Sequence, residues 1–255
     1  MIREMMSADI AVNAPKYQGS ISFGLPKLNR RSTAVVRVGL FDAAGNCLHV
    51  NTREWTVFPE TPAPKSSGFA YGEDAPAATL LLESKLAQAK IMQEAGVVFI
   101  SNYEAYDRNR TAVDAFVRSG GTVVFSELPQ GKYKIDTSEV VVTKTIMGEY
   151  YFANPEPELM KRSGLRDKDL FMWYDRKAGY VQPLLRNVFR APGWDALVST
   201  GLCNFAGADP SGYMAVAERR VGKGRFVFSE VTLAGRMSDN PAAGHLMKAL
   251  LGGSL

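Results

Sequence analysis

Histidine and cysteine are nearly missing from this chain. Of its 255 residues only His49, His245, Cys47 and Cys203 carry those side chains. No Cys-x-x-Cys pair exists and the two cysteines fall in segments assigned to different domains, which excludes a structural zinc site and a disulfide framework. Most histidine-based metal and general-base schemes go with them, so no metal and no cofactor are expected. No run of about 18 apolar residues exists, so no membrane span and no membrane partner are expected. The N-terminal stretch Met1–Lys16 lacks the apolar segment of a secretory signal. The expectation is a cytoplasmic protein, or a fragment of a secreted bacterial one whose signal lay upstream. Charge of either sign is modest: 30 Lys and Arg stand against 26 Asp and Glu, a net +4. The basic residues are densest from Lys161 to Arg190, but Asp167, Asp169 and Asp175 interrupt them. A nucleic-acid site shows a denser basic stripe interleaved with stacking aromatics, so no nucleic-acid partner is expected.

What is present is enough apolar sequence, 46% of the residues, to bury a full core. Residues 1–64 read as a partial, immunoglobulin-like β-sandwich followed by a linker. Ser7–Val12 alternates, Ser20–Phe23 is a short strand, and Thr33–Phe41 and Cys47–Val57 form a hairpin around the turn residues Asp42–Asn46. A complete sandwich has about seven strands, so this one lacks partners. Pro59, Pro62 and Pro64, then Lys65-Ser66-Ser67-Gly68, make the linker.

From residue 65 to 255 the periodicity changes. Leu82, Leu86 and Ala89 fit a helix over about 78–95. The stretch Val97–Pro129 then reads as a buried strand, a loop, an amphipathic helix with Ala112, Phe116 and Val117 inward, a Gly120-Gly121 stop, and a second buried strand ending at Ser126-Glu127. Residues 132–189 are a long excursion with a strand at Glu139–Thr143, a short helix at Pro155–Arg162, and a strand or packed loop at Phe171–Tyr174. Tyr213–Arg219 and Gly224–Ser229 flank a turn, and a helix over Ala242–Leu251 closes the chain. This pattern predicts an α/β domain with a mostly parallel sheet and helices on both faces. Ligands of such sheets sit beyond the carboxyl ends of the strands.

The element order, with GKGRFVFSEV leading into LAGRMSDNPAAG, resembles the flavodoxin-like, class I glutamine-amidotransferase-like domain, in the version appended to glycoside hydrolases of the β-galactosidase type. The N-terminal hairpin resembles the last strands of the sandwich that precedes that domain, with Asn51, Trp55 and Phe58-Pro59 at its recurring positions. Active amidotransferases of this fold carry a cysteine on a tight turn after a central strand and a histidine and glutamate after a later one. Here the two strands end in Ser126-Glu127 and Ser229-Glu230, with neither cysteine nor histidine. A thiol nucleophile needs a base beside it, so glutaminase chemistry is not expected. The resemblance implies a non-catalytic accessory or scaffolding region in carbohydrate metabolism, a homo-oligomer or the companion of an upstream catalytic domain, whose parent protein is the enzyme.

Two other readings use the same residues. If the strands ending at Ser126 and Ser229 are neighbours, Glu127 and Glu230 converge on one crevice. Glycosidase carboxylates stand about 5–5.5 Å apart in retaining and roughly 6.5–9.5 Å apart in inverting enzymes, so the pair is a candidate for cryptic glycoside hydrolysis. The bland counterpart is that each glutamate caps a helix or pairs with an arginine such as Arg236. Alternatively the region is a carbohydrate-binding module. Tyr150-Tyr151-Phe152, Phe171-Met172-Trp173-Tyr174 and Tyr180 would then stack on sugar, with Asn102, Tyr103, Glu104, Ser126 and Ser229 lining the crevice. Such aromatic clusters are as readily a satellite core.

Overall fold

The computed structural model describes residues 5–6, 24–60, 64–72, 75–145, 154–170, 173–175, 180–182, 184–204 and 207–252. The chain separates into two compact units, Met1–Glu60 and Thr61–Leu255.

Among its described residues the first unit contains one hairpin, β1 (Ser32–Phe41) and β2 (Cys47–Val57), antiparallel from Ser32↔Val57 to Leu40↔His49. Its turn uses the chemistry expected of it. Gly45 takes a φ of 85° and Asp42 accepts from both the backbone and side-chain nitrogens of Asn46. Apolar residues on both strands are exposed, among them Val35, Val38, Leu48 and Trp55. The strands expected at Ser7–Val12 and Ser20–Phe23 lie outside the described residues.

The second unit is built on one 11-stranded sheet. In chain order its elements are β3 (Ser67–Ala70), α1 (Ala75–Glu83), β4 (Ala87–Gln88), β5 (Val97–Ile100), α2 (Tyr103–Arg108), α3 (Arg110–Ser119), β6 (Thr122–Ser126), β7 (Gly131–Ile135), β8 (Ser138–Lys144), β9 (Asn154–Pro155) and α4 (Pro157–Ser163). There follow β10 (Trp173–Asp175), β11 (Tyr180–Gln182), β12 (Asn187–Arg190), β13 (Asp195–Asn204), β14 (Gly207–Val221), β15 (Gly224–Ser229) and α5 (Pro241–Leu250). Strands β10 and β11 pair separately. The order across the large sheet is β4-β3-β5-β6-β15-β14-β12-β8-β7, with β13 on β14 and β9 on β13.

The sheet is mixed, not mostly parallel. Strands β4, β3, β5, β6 and β15 run parallel, whereas every pairing from β15 through β14 to β7 is antiparallel. The physical reason lies in the connections. Helices carry the chain back between the parallel strands, while the excursion after β6 and the tight Gly222-Lys223 turn reverse it directly.

The parallel strands are apolar throughout because both of their faces are covered. Val98, Ile100, Val123, Phe125, Phe226 and Phe228 join one core cluster with Tyr106 of α2 and Val113, Phe116 and Val117 of α3. The alternating Val97, Phe99, Val124 and Val227 are buried as well. Each buried phenylalanine contributes roughly 1.5–3 kcal/mol relative to exposure.

Two helical expectations change. The helix over 78–95 is confined to α1, because the chain turns at Lys85 (φ 55°) and Leu86 packs beside Gly68 of β3. Leu82 is 79% exposed, and Leu80 and Leu81 are inward instead. In α3 the inward set is Val113, Asp114, Phe116 and Val117, leaving Ala112 exposed. Asp114 is tolerated inside because the Tyr106 hydroxyl donates to it at 2.9 Å.

Candidate functional site

Strands β6 and β15 are adjacent and parallel, in a register that pairs Ser126 with Ser229. The two following glutamates therefore leave the sheet side by side at the carboxyl ends of its strands. Their backbones differ. Glu127 stops β6 by taking a φ of 52°, with its N–H still donating to the Ser229 carbonyl at 2.9 Å. Pro129 two residues later has no N–H to continue a ladder. Glu230 instead turns toward the antiparallel half and donates its N–H to the Ala215 carbonyl of β14 at 2.8 Å. Val231 then bridges Leu185, and Thr232 bonds to the Leu184 carbonyl through both its N–H and its hydroxyl.

The Glu230 carboxylate is a buried junction. One oxygen accepts the Leu128 N–H at 3.1 Å and the other accepts the Asn187 amide at 3.2 Å, which also donates to the Leu128 carbonyl at 3.2 Å. The residue is 2% exposed. Burial drives its carboxyl well above the ordinary carboxylate range; the Asn187 and Leu128 bonds oppose this, and the charge of Glu127 reinforces it. Glu127 is half-buried and its carboxyl is also raised, again by burial first. Backbone amides of Ala234 and Leu233 and the charges of Arg186 and Arg236 pull in the opposite direction.

The other residues singled out by sequence have local partners. Asn102 caps α2, its side-chain oxygen accepting from the N–H of Glu104 at 2.9 Å and of Ala105 at 3.3 Å. Tyr103 is fixed to β7. Its hydroxyl lies 3.0 Å from both the N–H and the carbonyl of Lys134 and accepts from Arg110 at 2.8 Å. Glu104 lies exposed in the first turn of α2, where a negative charge suits the helix dipole. Ser126 and Ser229 are 1% and 0% exposed, and neither hydroxyl has a hydrogen-bond partner among the described residues. Trp173 and Tyr174 belong to β10, opposite Gln182 and Val181 of β11, outside the large sheet. Tyr150, Tyr151, Phe152, Phe171 and Met172 lie outside the described residues.

The structure thus brings Ser126, Glu127, Ser229 and Glu230 together. It adds residues that sequence reasoning missed: Asn187 at the start of β12, Arg186 before it, and Tyr133 on β7. The hydroxyl of Tyr133 donates to the Pro129 carbonyl at 2.5 Å, and its ionisation is disfavoured by burial and by the charge of Glu230. The only sequence signal for Asn187 is a polar residue immediately before the apolar pair Val188-Phe189. Among the described residues no group of three or more His, Cys, Asp or Glu side chains is arranged to hold a metal ion, and no helix is long and apolar enough to cross a membrane.

No protein-family model matches the chain, and no curated protein matches it. Solved structures resemble it distantly. A cold-adapted β-galactosidase from Rahnella sp. R3 is 15% identical with a TM-score of 0.39, the match covering 66% of this chain and 24% of that one. An exo-β-1,4-mannosidase from Opitutaceae bacterium strain TAV5 is 11% identical with a TM-score of 0.42, covering 72% of this chain and 36% of that one. A cytoplasmic protein from Salmonella typhimurium is 9% identical with a TM-score of 0.37, covering 86% and 95%. The chain therefore spans about a quarter and about a third of the two enzymes it resembles, both of them glycoside hydrolases.

Proposed function

We propose that this chain is a non-catalytic accessory region of a glycoside-hydrolase-like protein, an amidotransferase-like α/β unit that scaffolds or borders a catalytic domain. The observation that carries the reading is the state of Glu230. A glycosidase carboxyl must reach the glycosidic oxygen or the anomeric carbon. At 2% exposure, with both oxygens taken by Leu128 and Asn187, this carboxylate instead ties the end of β6 to the start of β12. Glu127 is half-buried, and burial raises its carboxyl too. The kinship with glycoside hydrolases is motivated by Asn51, Trp55, Phe58-Pro59 and the β15 segment.

The test is an assay of the full chain against nitrophenyl β-galactoside, β-mannoside and β-glucoside. We expect release at the background rate, unaltered in Glu127→Gln and Glu230→Gln. Turnover that disappears in either variant would replace this reading with a hydrolase.

A further inference from the structure

Strand β7 ends the large sheet at one side; among the described residues it pairs with β8 alone. An edge strand of this kind turns backbone donors and acceptors outward, a template on which another chain can add a strand. In the β7–β8 register Lys134 lies opposite Glu139, one step from the Ile135↔Ser138 pair at the turn. Pairs in an antiparallel ladder alternate between those that exchange hydrogen bonds and those that do not. Lys134 is of the second kind, so its N–H and carbonyl face away from β8.

Both groups are taken by one side chain. The Tyr103 hydroxyl accepts the Lys134 N–H at 3.0 Å and donates to the Lys134 carbonyl at 3.0 Å. Its remaining lone pair accepts from Arg110 at 2.8 Å, which holds it in place. One turn along α2, the buried Tyr106 hydroxyl accepts the next outward amide, that of Asp136, at 3.0 Å and donates to Asp114 at 2.9 Å. The Tyr103 ring also packs on the ring of Tyr133 in β7, their centroids 4.8 Å apart. One hydroxyl thus offers Lys134 what a neighbouring strand would offer, a donor and an acceptor together. Among the described residues no such cap covers Lys132, the next outward position of β7, opposite Val141. The residues Lys132 and Lys134 are exposed and share one face of the strand.

We propose that α2 is an edge guard, whose Tyr103 and Tyr106 stand in for a further strand and close β7 to strand addition by a second copy of this chain. A second copy is the fitting intruder because β7 can pair antiparallel with itself about Tyr133. Lys132 of each copy then exchanges hydrogen bonds with Lys134 of the other. That register also sets lysine directly against lysine, and like charges so placed repel. The edge therefore has two barriers, the tyrosine hydroxyl on the backbone and the lysine charges above it.

The test separates the two barriers by sedimentation of the full chain over a concentration series. Lys132→Gln with Lys134→Gln removes the charges and keeps Tyr103, and should sediment like wild type. Adding Tyr103→Phe to that pair opens the edge, so the weight-average mass should rise with concentration toward that of a dimer. Using Lys134→Pro in place of Lys134→Gln in the triple variant deletes the outward N–H, at an edge position where proline is tolerated. The wild-type mass should then return, whereas association through generally loosened packing would persist. Should the triple variant not fold, the wild type decides: the Lys134 amide, though outward-facing, should exchange with deuterium on the order of tenfold more slowly than the Lys132 amide after correction for intrinsic rates. Association with Tyr103 still present, a folded triple variant that sediments like wild type, association that survives the proline, or equal protection at Lys132 and Lys134 would each overturn the guard.

Discussion

Two buried acidic clusters sit at opposite ends of the β6–β15 core, and they are neutralised differently. At the carboxyl end, Glu230 is held by the Leu128 amide and the Asn187 side chain, and burial raises the carboxyls of both Glu230 and its neighbour Glu127. At the other end Asp136, in the turn between β7 and β8, also has a left-handed backbone (φ 50°) and a side chain only 6% exposed. Asp136 is gripped directly by guanidinium groups, Arg118 of α3 at 2.8 Å and Arg219 of β14 at 3.4 Å, and its own N–H donates to the Tyr106 hydroxyl. The difference teaches what each end does. Two guanidinium groups and a tyrosine hydroxyl, from three elements, lock the Asp136 end as a clasp. The Glu127–Glu230 end joins loops through dipoles, leaving two carboxyls whose charged forms burial disfavours.

The sharpest break of this comparison is Glu230→Ala. It strands the buried Leu128 N–H and one Asn187 donor, and should lower unfolding free energy by about 2–4 kcal/mol in denaturant titration. A loss within error of zero would show the junction to be ornamental. Next comes Asp136→Ala. Its arginines are partly exposed, with side chains at 54% and 23%, so they recover water and the expected loss is smaller, about 1–3 kcal/mol. A loss exceeding that of Glu230→Ala would invert the ranking.

The third test is a slope. Both glutamates have folded values raised above the usual 4.5, so between there and their raised values the folded state binds more protons than the unfolded. The stability they contribute is present below that window and falls as pH rises through it, by at most about 1.4 kcal/mol per pH unit for each group. Stability of Glu230→Gln relative to wild type should therefore improve from pH 4.5 toward neutrality. A relative decline over that interval would contradict the assignment.

The central strands were legible because burial on both faces leaves an unmistakable apolar signature, as in Val97–Ile100 and Thr122–Phe125. The hairpin was legible because Asp42 and Gly45 have few alternatives to a turn. The α1 boundary was obscure because Leu82 and Leu86 satisfy helical spacing, yet Leu86 is buried only after a reversal at Lys85, a residue with no turn preference. The balance of parallel and antiparallel strands was also hidden, since pairing partners are set by long-range contacts. Of the site, Glu127 and Glu230 could be found by where their strands end. Asn187 could not: it arrives from a different part of the chain, and no local pattern announces a partner 43 residues away.

The contact between Gly121 and Gly224 has a consequence for how the Glu127–Glu230 junction is copied faithfully from molecule to molecule. A methyl group at position 224 would fall 2.2 Å from the Gly121 carbonyl and 2.3 Å from that of Val117, and the Arg225 N–H bonds the same Gly121 carbonyl at 3.1 Å. The bare backbone there works as an index mark. It sets β15 against the start of β6 at one unique offset, and a slip of a single residue would turn every side chain to the other face. Glu230, six residues downstream, is thus placed by a gauge at the far end of its own strand.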